Sequence, residues 1–290
     1  MLRKSQIRLG LIAILVLANY LIWTASSSAS NAGLRIDFLN IGQGDATLIR
    51  TPSGENILVD GGPDDKVLAE LGRILPIWDK TLDLVVATHP EADHISGLIT
   101  VMERYTVKEV LTLNTNNDTR VAKAWQQLIT AVPLVNFADA ADDYVWGEVV
   151  WDTLSPITDT NFAYIGNDQS IVAEVSYRNY QILLTGDITT TKETGLQQIY
   201  PALQADVLKV AHHGSKFSSG MAWLWQIQPA VAVIEVGKNS YGHPTPDALA
   251  RLRAAGAEVY RTDQDGTIEM IFTDNGYFVK ANGKKKFYQN

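Results

Sequence analysis

The stretch VVATHPEADHISGL, from Val85 to Leu98, places three potential metal donors, His89, Asp93 and His94, within six residues of one another. It continues LDLVVAT, a nearly unbroken apolar run of the kind a strand covered on both faces needs, and it runs into a glycine. The chain has five histidines and no cysteine. Any metal is therefore held by imidazole and carboxylate, a donor set suited to divalent ions of the zinc and manganese type.

The other histidines repeat the placement. His212 and His213 follow ADVLKVA and precede Gly214, and His243 sits in VGKNSYGHPTP after AVAVIEV. All five are read as lying in short loops just past strands, none on a helix. Such loops aim side chains from a rigid scaffold, whereas histidines used as core filler would fall inside apolar runs. Two aspartates occupy matching places: Asp60 ends NILVD ahead of Gly61 and Gly62, and Asp187 ends YQILLTGD after Gly186.

Strands alternate with helices after residue 33. LRIDFLNI alternates as a half-buried strand does. Helices are predicted over Val67–Leu75, Ile95–Tyr105, Asp118–Thr130 with Asp118 as N-cap, Thr191–Ile199, Met221–Ile227 and Pro246–Ala254. SIVAEVSY and YQILLTG form a hairpin through RN, and EVYRT, GTIEMIF and GYFVK are the closing strands. Two βα-rich halves with no linker predict two packed sheets with helices outside, one domain over 33–290.

Residues 1–30 stand apart. Arg3, Lys4 and Arg8 precede LGLIAILVLANYLIW and a small polar stretch, the pattern of a signal peptide or membrane anchor. Basic residues ahead of the apolar run put the bulk of the chain outside the cytoplasmic membrane. No acidic residue precedes Asp37, so removing this segment takes the net charge from −8 to −11. A domain so acidic is no general binder of nucleic acid unless a metal or a local basic patch overrides the repulsion. GKKKF near the C-terminus is such a patch, read as a solvated tail.

THPEADHISG resembles the metal-binding loop of the metallo-β-lactamase superfamily. FLNIGQGDATLIRTPSGENILVDGG, ILLTGDI, DVLKVAHHGS and YGHPTPDAL resemble, in order, the extracellular domain of ComEC-type competence proteins, over roughly residues 34–275. The resemblance implies an α+β, four-layer αββα sandwich with one or two divalent ions, Zn or Mn, at the edge of the paired sheets. It implies His89, Asp93 and His94 as ligands, Asp187 as a bridging carboxylate, and one of His212 and His213, with His212 favoured as nearer the strand end. Asp60 would orient the ligand loop, and Gln43 and Asp45 of GQGD would face the site. His243 would contact a phosphate or shuttle a proton, and Asp93 and His243 are the residues expected to take part in catalysis.

Two departures weaken the first ion's position. Glu91 stands where the superfamily loop has its middle histidine, and no histidine lies between residues 94 and 212, where GNDQS takes the place. A carboxylate-richer site favours a harder ion such as Mn²⁺. The reaction these groups support is hydrolysis by metal-activated water, with a phosphodiester, DNA in the ComEC-like reading, as substrate. The rival readings are a hydrolase of a small envelope phosphodiester or ester, and a non-catalytic metal-stabilised binding module.

Overall fold

The computed structural model describes residues 33–140, 143–157 and 166–289, the helical residues 14–17 and 19, and the backbone of 162–163. The expected signal or anchor over residues 1–30 otherwise lies outside the described residues. Among the described residues no helix is long and apolar enough to cross a membrane.

The N-terminal half begins with β1 (Arg35–Phe38), β2 (Thr47–Arg50) and β3 (Asn56–Val59), then α1 (Lys66–Ile74), β4 (Thr81–Val86), α2 (Ala92–Arg104), β5 (Thr106–Thr112), β6 (Thr115–Asn116), α3 (Arg120–Ile129) and β7 (Leu134–Phe137). The chain continues through β8 (Asp143–Trp146), β9 (Val149–Ser155), β10 (Phe162–Ala163), β11 (Val172–Tyr177), β12 (Tyr180–Leu184), α4 (Thr190–Ile199), β13 (Val207–Lys209) and α5 (Met221–Ile227). The last elements are β14 (Val231–Ile234), α6 (Pro246–Ala254), β15 (Glu258–Arg261), α7 (Thr262–Asp265), β16 (Ile268–Thr273), β17 (Gly276–Ala281) and β18 (Lys284–Tyr288). A nine-stranded sheet runs β18-β17-β16-β1-β2-β3-β4-β5-β7, a seven-stranded sheet runs β15-β14-β13-β12-β11-β9-β8, and β6 pairs with β10.

Strand periodicity builds the layers. Successive side chains point to opposite faces, so Leu84 and Val86 of β4 enter the cluster between the sheets with Phe38, Trp151, Val175 and Phe272. Val85 faces outward onto Val67, Leu71, Ile95, Leu98 and Trp125 of α1, α2 and α3, a cluster that Leu82, near the start of β4, also joins. The second sheet does the same, with Leu183, Leu208 and Ala232 packed under Leu196, Trp223 and Leu252 of α4, α5 and α6. Three apolar layers separate four layers of structure, the αββα sandwich expected. β3 and β4 pair parallel, as do β12, β13 and β14. The C-terminal ends of these parallel strands meet at one rim of the sandwich, and every histidine lies beyond one of them.

Several elements differ from the sequence reading. Helix α2 begins at Ala92, not Ile95, because Glu91 has extended backbone angles and its carbonyl accepts from His94 and Ile95 N–H. His94 therefore sits on a helix, in its first turn. In α3 the N-cap is Thr119, whose hydroxyl accepts from Ala122 N–H, while Asp118 lies in solvent and pairs with Lys123. The GKKKF segment is not a tail but part of the edge strand β18, paired antiparallel with β17. Its Tyr288 stacks on Tyr277 at 5.0 Å, and lysines along an edge discourage further strand pairing.

Candidate metal centre

The donors reach the rim from four separate elements. His89 follows β4, Asp93 and His94 come from the first turn of α2, Asp187 follows β12, and His212 and His213 follow β13. The local backbone is unusual at several of these points. Asp60, His212 and His213 all have left-handed φ, at 57°, 51° and 51°, a conformation that costs non-glycine residues on the order of 1–2 kcal/mol each. Two successive left-handed residues turn the chain so that His213 points inward, 2% exposed, and His212 outward, 28% exposed.

His94 is wholly buried. Its Nδ1 lies 2.8 Å from Asp60 Oδ2 and its Nε2 3.4 Å from Asp187 Oδ2. Asp60 is in turn fixed by Thr88, whose N–H and hydroxyl donate to it at 2.8 and 2.6 Å. The His213 Nδ1 is 2.9 Å from the Glu235 carbonyl oxygen, and its Nε2 is 3.4 Å from Asp93 Oδ2 and 3.6 Å from Asp187 Oδ2. In the metal-free protein burial opposes charge on both imidazoles. For His94, Asp187 and Asp60 outweigh it and hold the ring well above the ordinary value; for His213, Asp187 and Asp45 raise it to about 10. Burial likewise works against Asp93, but the hydrogen bond from His213 and the charge of His94 lower it to about 2. His89 is pushed the other way, to about 3, by burial and by the neighbouring His94 ring 4.0 Å away.

The donors fit a divalent ion. His94 Nε2, His213 Nε2 and Asp187 Oδ1 are buried without a hydrogen-bond partner. Ligand bonds of about 2.0–2.2 Å in a tetrahedron require donor separations of roughly 3.3–3.6 Å, and the Nε2-to-carboxylate distances of 3.4, 3.4 and 3.6 Å fall there. Among the described residues, three-donor groups draw on Asp45, Asp60, His89, Asp93, His94, Asp187 and His213. They leave out His212 and Glu91. His212 Nε2 is 4.0 Å from Asp187 Oδ2, and Glu91 lines the pocket mouth.

The residues expected around the ligands divide. Asp45 enters the cluster, 3.2 Å from His213 Nδ1, and its N–H donates to the Asp93 carbonyl at 3.2 Å. A Cβ at Gly44 would sit 2.2 Å from that same carbonyl oxygen, so the GQGD loop packs there only because glycine precedes Asp45. Gln43 lines the pocket and accepts from Gly237 N–H. The GNDQS segment supports Asp187 by a different route: the Ser170 hydroxyl accepts from Asp187 N–H at 3.2 Å, and Asn167 lies 3.4 Å from the His212 ring. His243 lines the pocket against His212, with its loop tied by Asn239. Burial and the His212 and His213 charges lower its pKa.

Two buried ionisable residues at the centre, Lys209 and Glu235, are not among those the sequence reading singles out. Lys209, in β13, makes an ion pair with Asp45 and donates to the Gly186 carbonyl at 3.0 Å. The Glu235 carboxylate accepts from Ala46 N–H and the Thr47 hydroxyl, each at 3.0 Å, joining the two sheets beneath the site. A lysine inside VLKVA and a glutamate inside VIEVG were the available signals. The whole centre opens into a pocket of about 450 Å³ lined by Gln43, Glu91, Asp93, Asp187, His213, Tyr241 and His243, among others.

An αββα sandwich carrying an imidazole–carboxylate cluster at its rim has the architecture of a metallo-hydrolase. The family model described as Metallo-beta-lactamase superfamily matches residues 39–238, and the chain belongs to that superfamily. It is 29% identical over 256 residues to ComE operon protein 3 of Bacillus subtilis, covering 81% of this chain and 32% of that protein. It is 30% identical over 246 residues to Recombination protein 2 of Haemophilus influenzae, covering 82% of this chain and 29% of that protein. The chain thus spans about a third of the length of these relatives. Among solved structures it is similar to Igni18, a metallo hydrolase of Ignicoccus hospitalis, with a TM-score of 0.55, 16% identity, 82% of this chain and all of that one covered.

Proposed function

We propose that the chain is a metal-dependent phosphodiesterase acting on DNA outside the cytoplasmic membrane, held there or exported by residues 1–30, with 33–290 as the hydrolase domain. The observation that carries this reading is the pair of buried ring nitrogens without a hydrogen-bond partner, His94 Nε2 and His213 Nε2, brought together with Asp187 Oδ2 and Asp93 Oδ2 beside an open pocket. Relatives named for recombination and for the ComE operon support a nucleic-acid substrate.

When bound, a divalent ion of the Zn or Mn type supplies an acidified water and a hold on a phosphoryl oxygen. The chain's own residues do the rest. Asp93, Asp187, His94 and His213 hold the ion, and Asp60 fixes the His94 tautomer by occupying its Nδ1. His243, with Nδ1 unpartnered at the pocket wall and a pKa lowered by burial, would accept the proton released by the attacking water and hand it on to the leaving alkoxide. Water adds to phosphorus, the P–O ester bond breaks, and the products are a phosphomonoester and an alcohol.

One feature favours a smaller phosphodiester as the alternative substrate. Among the described residues the pocket lining includes Glu91, Asp93 and Asp187 but neither lysine nor arginine, so no fixed cation among them tracks a long phosphate backbone. Assay of the chain with Mn²⁺ and with Zn²⁺ on DNA and on small diesters separates the readings. Turnover of DNA that EDTA and Asp93→Ala both abolish is expected. DNA cleavage that persists in excess EDTA overturns the proposal, and turnover confined to small diesters selects the alternative. Metal bound firmly with no turnover on any of them assigns a binding module.

A further inference from the structure

We propose that the centre takes a single divalent ion and that the Lys209 ammonium permanently fills a second cation position. This rests on the metal-dependent reading above. The four three-donor groups are Asp93–His94–His213, His89–His94–Asp187, Asp45–Asp60–His94 and Asp45–Asp187–His213. They share donors. His94 has one nitrogen left, Nε2, because Nδ1 is engaged by Asp60, and His213 likewise has only Nε2, because Nδ1 faces the Glu235 carbonyl and Asp45. One ring nitrogen binds one ion. Filling Asp93–His94–His213, the group that opens to the pocket through Asp93, therefore removes the third donor from each of the other three.

What remains is already answered within the protein. The Asp60 oxygens accept from Thr88 and engage His94. Lys209, 3% exposed, places its ammonium against Asp45, the Gly186 carbonyl and, at 3.8 Å, Asp187 Oδ1. Asp187 is thus divided: Oδ2 faces His94 and His213, and Oδ1 faces Lys209. A carboxylate that would bridge two ions here lies between one ion position and a covalently tethered cation. The two imidazoles lost from the sequence pattern, at Glu91 and between residues 94 and 212, fit the same account, since a single-ion centre does not need them.

The test is metal content. The purified full chain is saturated with Mn²⁺, freed of excess, and analysed for manganese per chain, beside Lys209→Met and Lys209→Arg. One ion per chain is expected for the wild type and for Lys209→Arg, which keeps the charge. Two are expected for Lys209→Met, where Asp45, Asp187 and the Gly186 carbonyl are freed for a hard ion. Two ions in the wild type, or one in a folded Lys209→Met, overturn the inference. If Lys209→Met does not fold, the wild-type count alone decides. No ion in the wild type instead removes the metal-dependent reading itself, an outcome distinct from either.

Discussion

Gly97→Ala is a stringent test of how the fold aims its ligands. Gly97 lies in α2, one turn after Asp93 and His94, where the helix presses against the loop carrying Asp60. Its N–H donates to the Gly62 carbonyl at 2.8 Å, and Gly61 N–H donates to the His94 carbonyl at 2.7 Å. A Cβ at Gly97 would stand 1.8 Å from the Gly61 carbonyl oxygen and 2.7 Å from that of Asp64, where contacts under 3.0 Å are essentially never seen. The helix and loop must therefore separate by about 1.2 Å, the shortfall from 3.0 Å. Helix propensity favours alanine by about 1 kcal/mol, but overpacking costs about 1–3 kcal/mol. Both obstacles are backbone atoms that no rotamer change removes, so overpacking wins. The expected outcome is a net loss of up to roughly 2 kcal/mol. A ligand-site displacement near 1 Å also costs on the order of 10²-fold in turnover. Chemical denaturation of the variant measures the first, and a turnover assay across a Mn²⁺ titration measures the second together with metal affinity. Gly72→Ala, in α1 with nothing within 4 Å of its added carbon, is the control and should be neutral or stabilising. A Gly97→Ala protein with wild-type stability and wild-type metal affinity would refute the reasoning.

Three further outcomes follow from the same geometry. In chelator, His213 is raised to about 10 and Glu235, chiefly by burial, to about 8. Values raised in the folded state contribute stability below the unfolded pKa that is lost as pH climbs through the folded one. The metal-free protein should therefore lose thermal stability between about pH 4.5 and 8 through Glu235 and between about pH 6.5 and 10 through His213, with Mn²⁺ flattening the His213 part of that slope because the ion displaces the proton; parallel slopes with and without Mn²⁺ would contradict it. In a competition titration, Asp60→Asn should weaken metal binding about 10–100-fold, as losing a residue that orients a ligand does, His213→Ala by more and His212→Ala by less; equal losses at the two histidines would deny that the inward ring is the donor. Thr119→Ala, which removes the hydroxyl that caps α3, should cost about 1 kcal/mol in denaturant unfolding, while Asp118→Ala should change little.

The αββα layering was legible because its strands are buried on both faces and read as apolar runs, and because the chain repeats its βα rhythm in both halves. The rim was legible for a related reason. Parallel strands end side by side, so polar residues just beyond several strand ends converge, and the histidines and Asp60, Asp93 and Asp187 all occupy such places. What stayed hidden depended on a few backbone angles. HHGS does not reveal that both histidines adopt left-handed φ, and that turn, rather than distance from the strand end, brings His213 inward and leaves His212 at the edge. Nor does THPEADH reveal that Glu91 caps a helix and so lifts His94 into its first turn.

Lys209 and Glu235 were hidden in another way: Lys209 ends β13 and Glu235 directly follows β14, within runs so apolar that the pattern predicts only core. A buried position is costly for a charge unless it is paired. Here the lysine finds Asp45 and Asp187, and the glutamate finds donors from β2 and its approach. Local preference is contradicted at Lys209 because the rim gathers several buried carboxylates, and a lysine anchored in the sheet is a cation that dissociation cannot remove. The interruption of an apolar run by a single charge was therefore as direct a pointer to the centre as the histidines themselves.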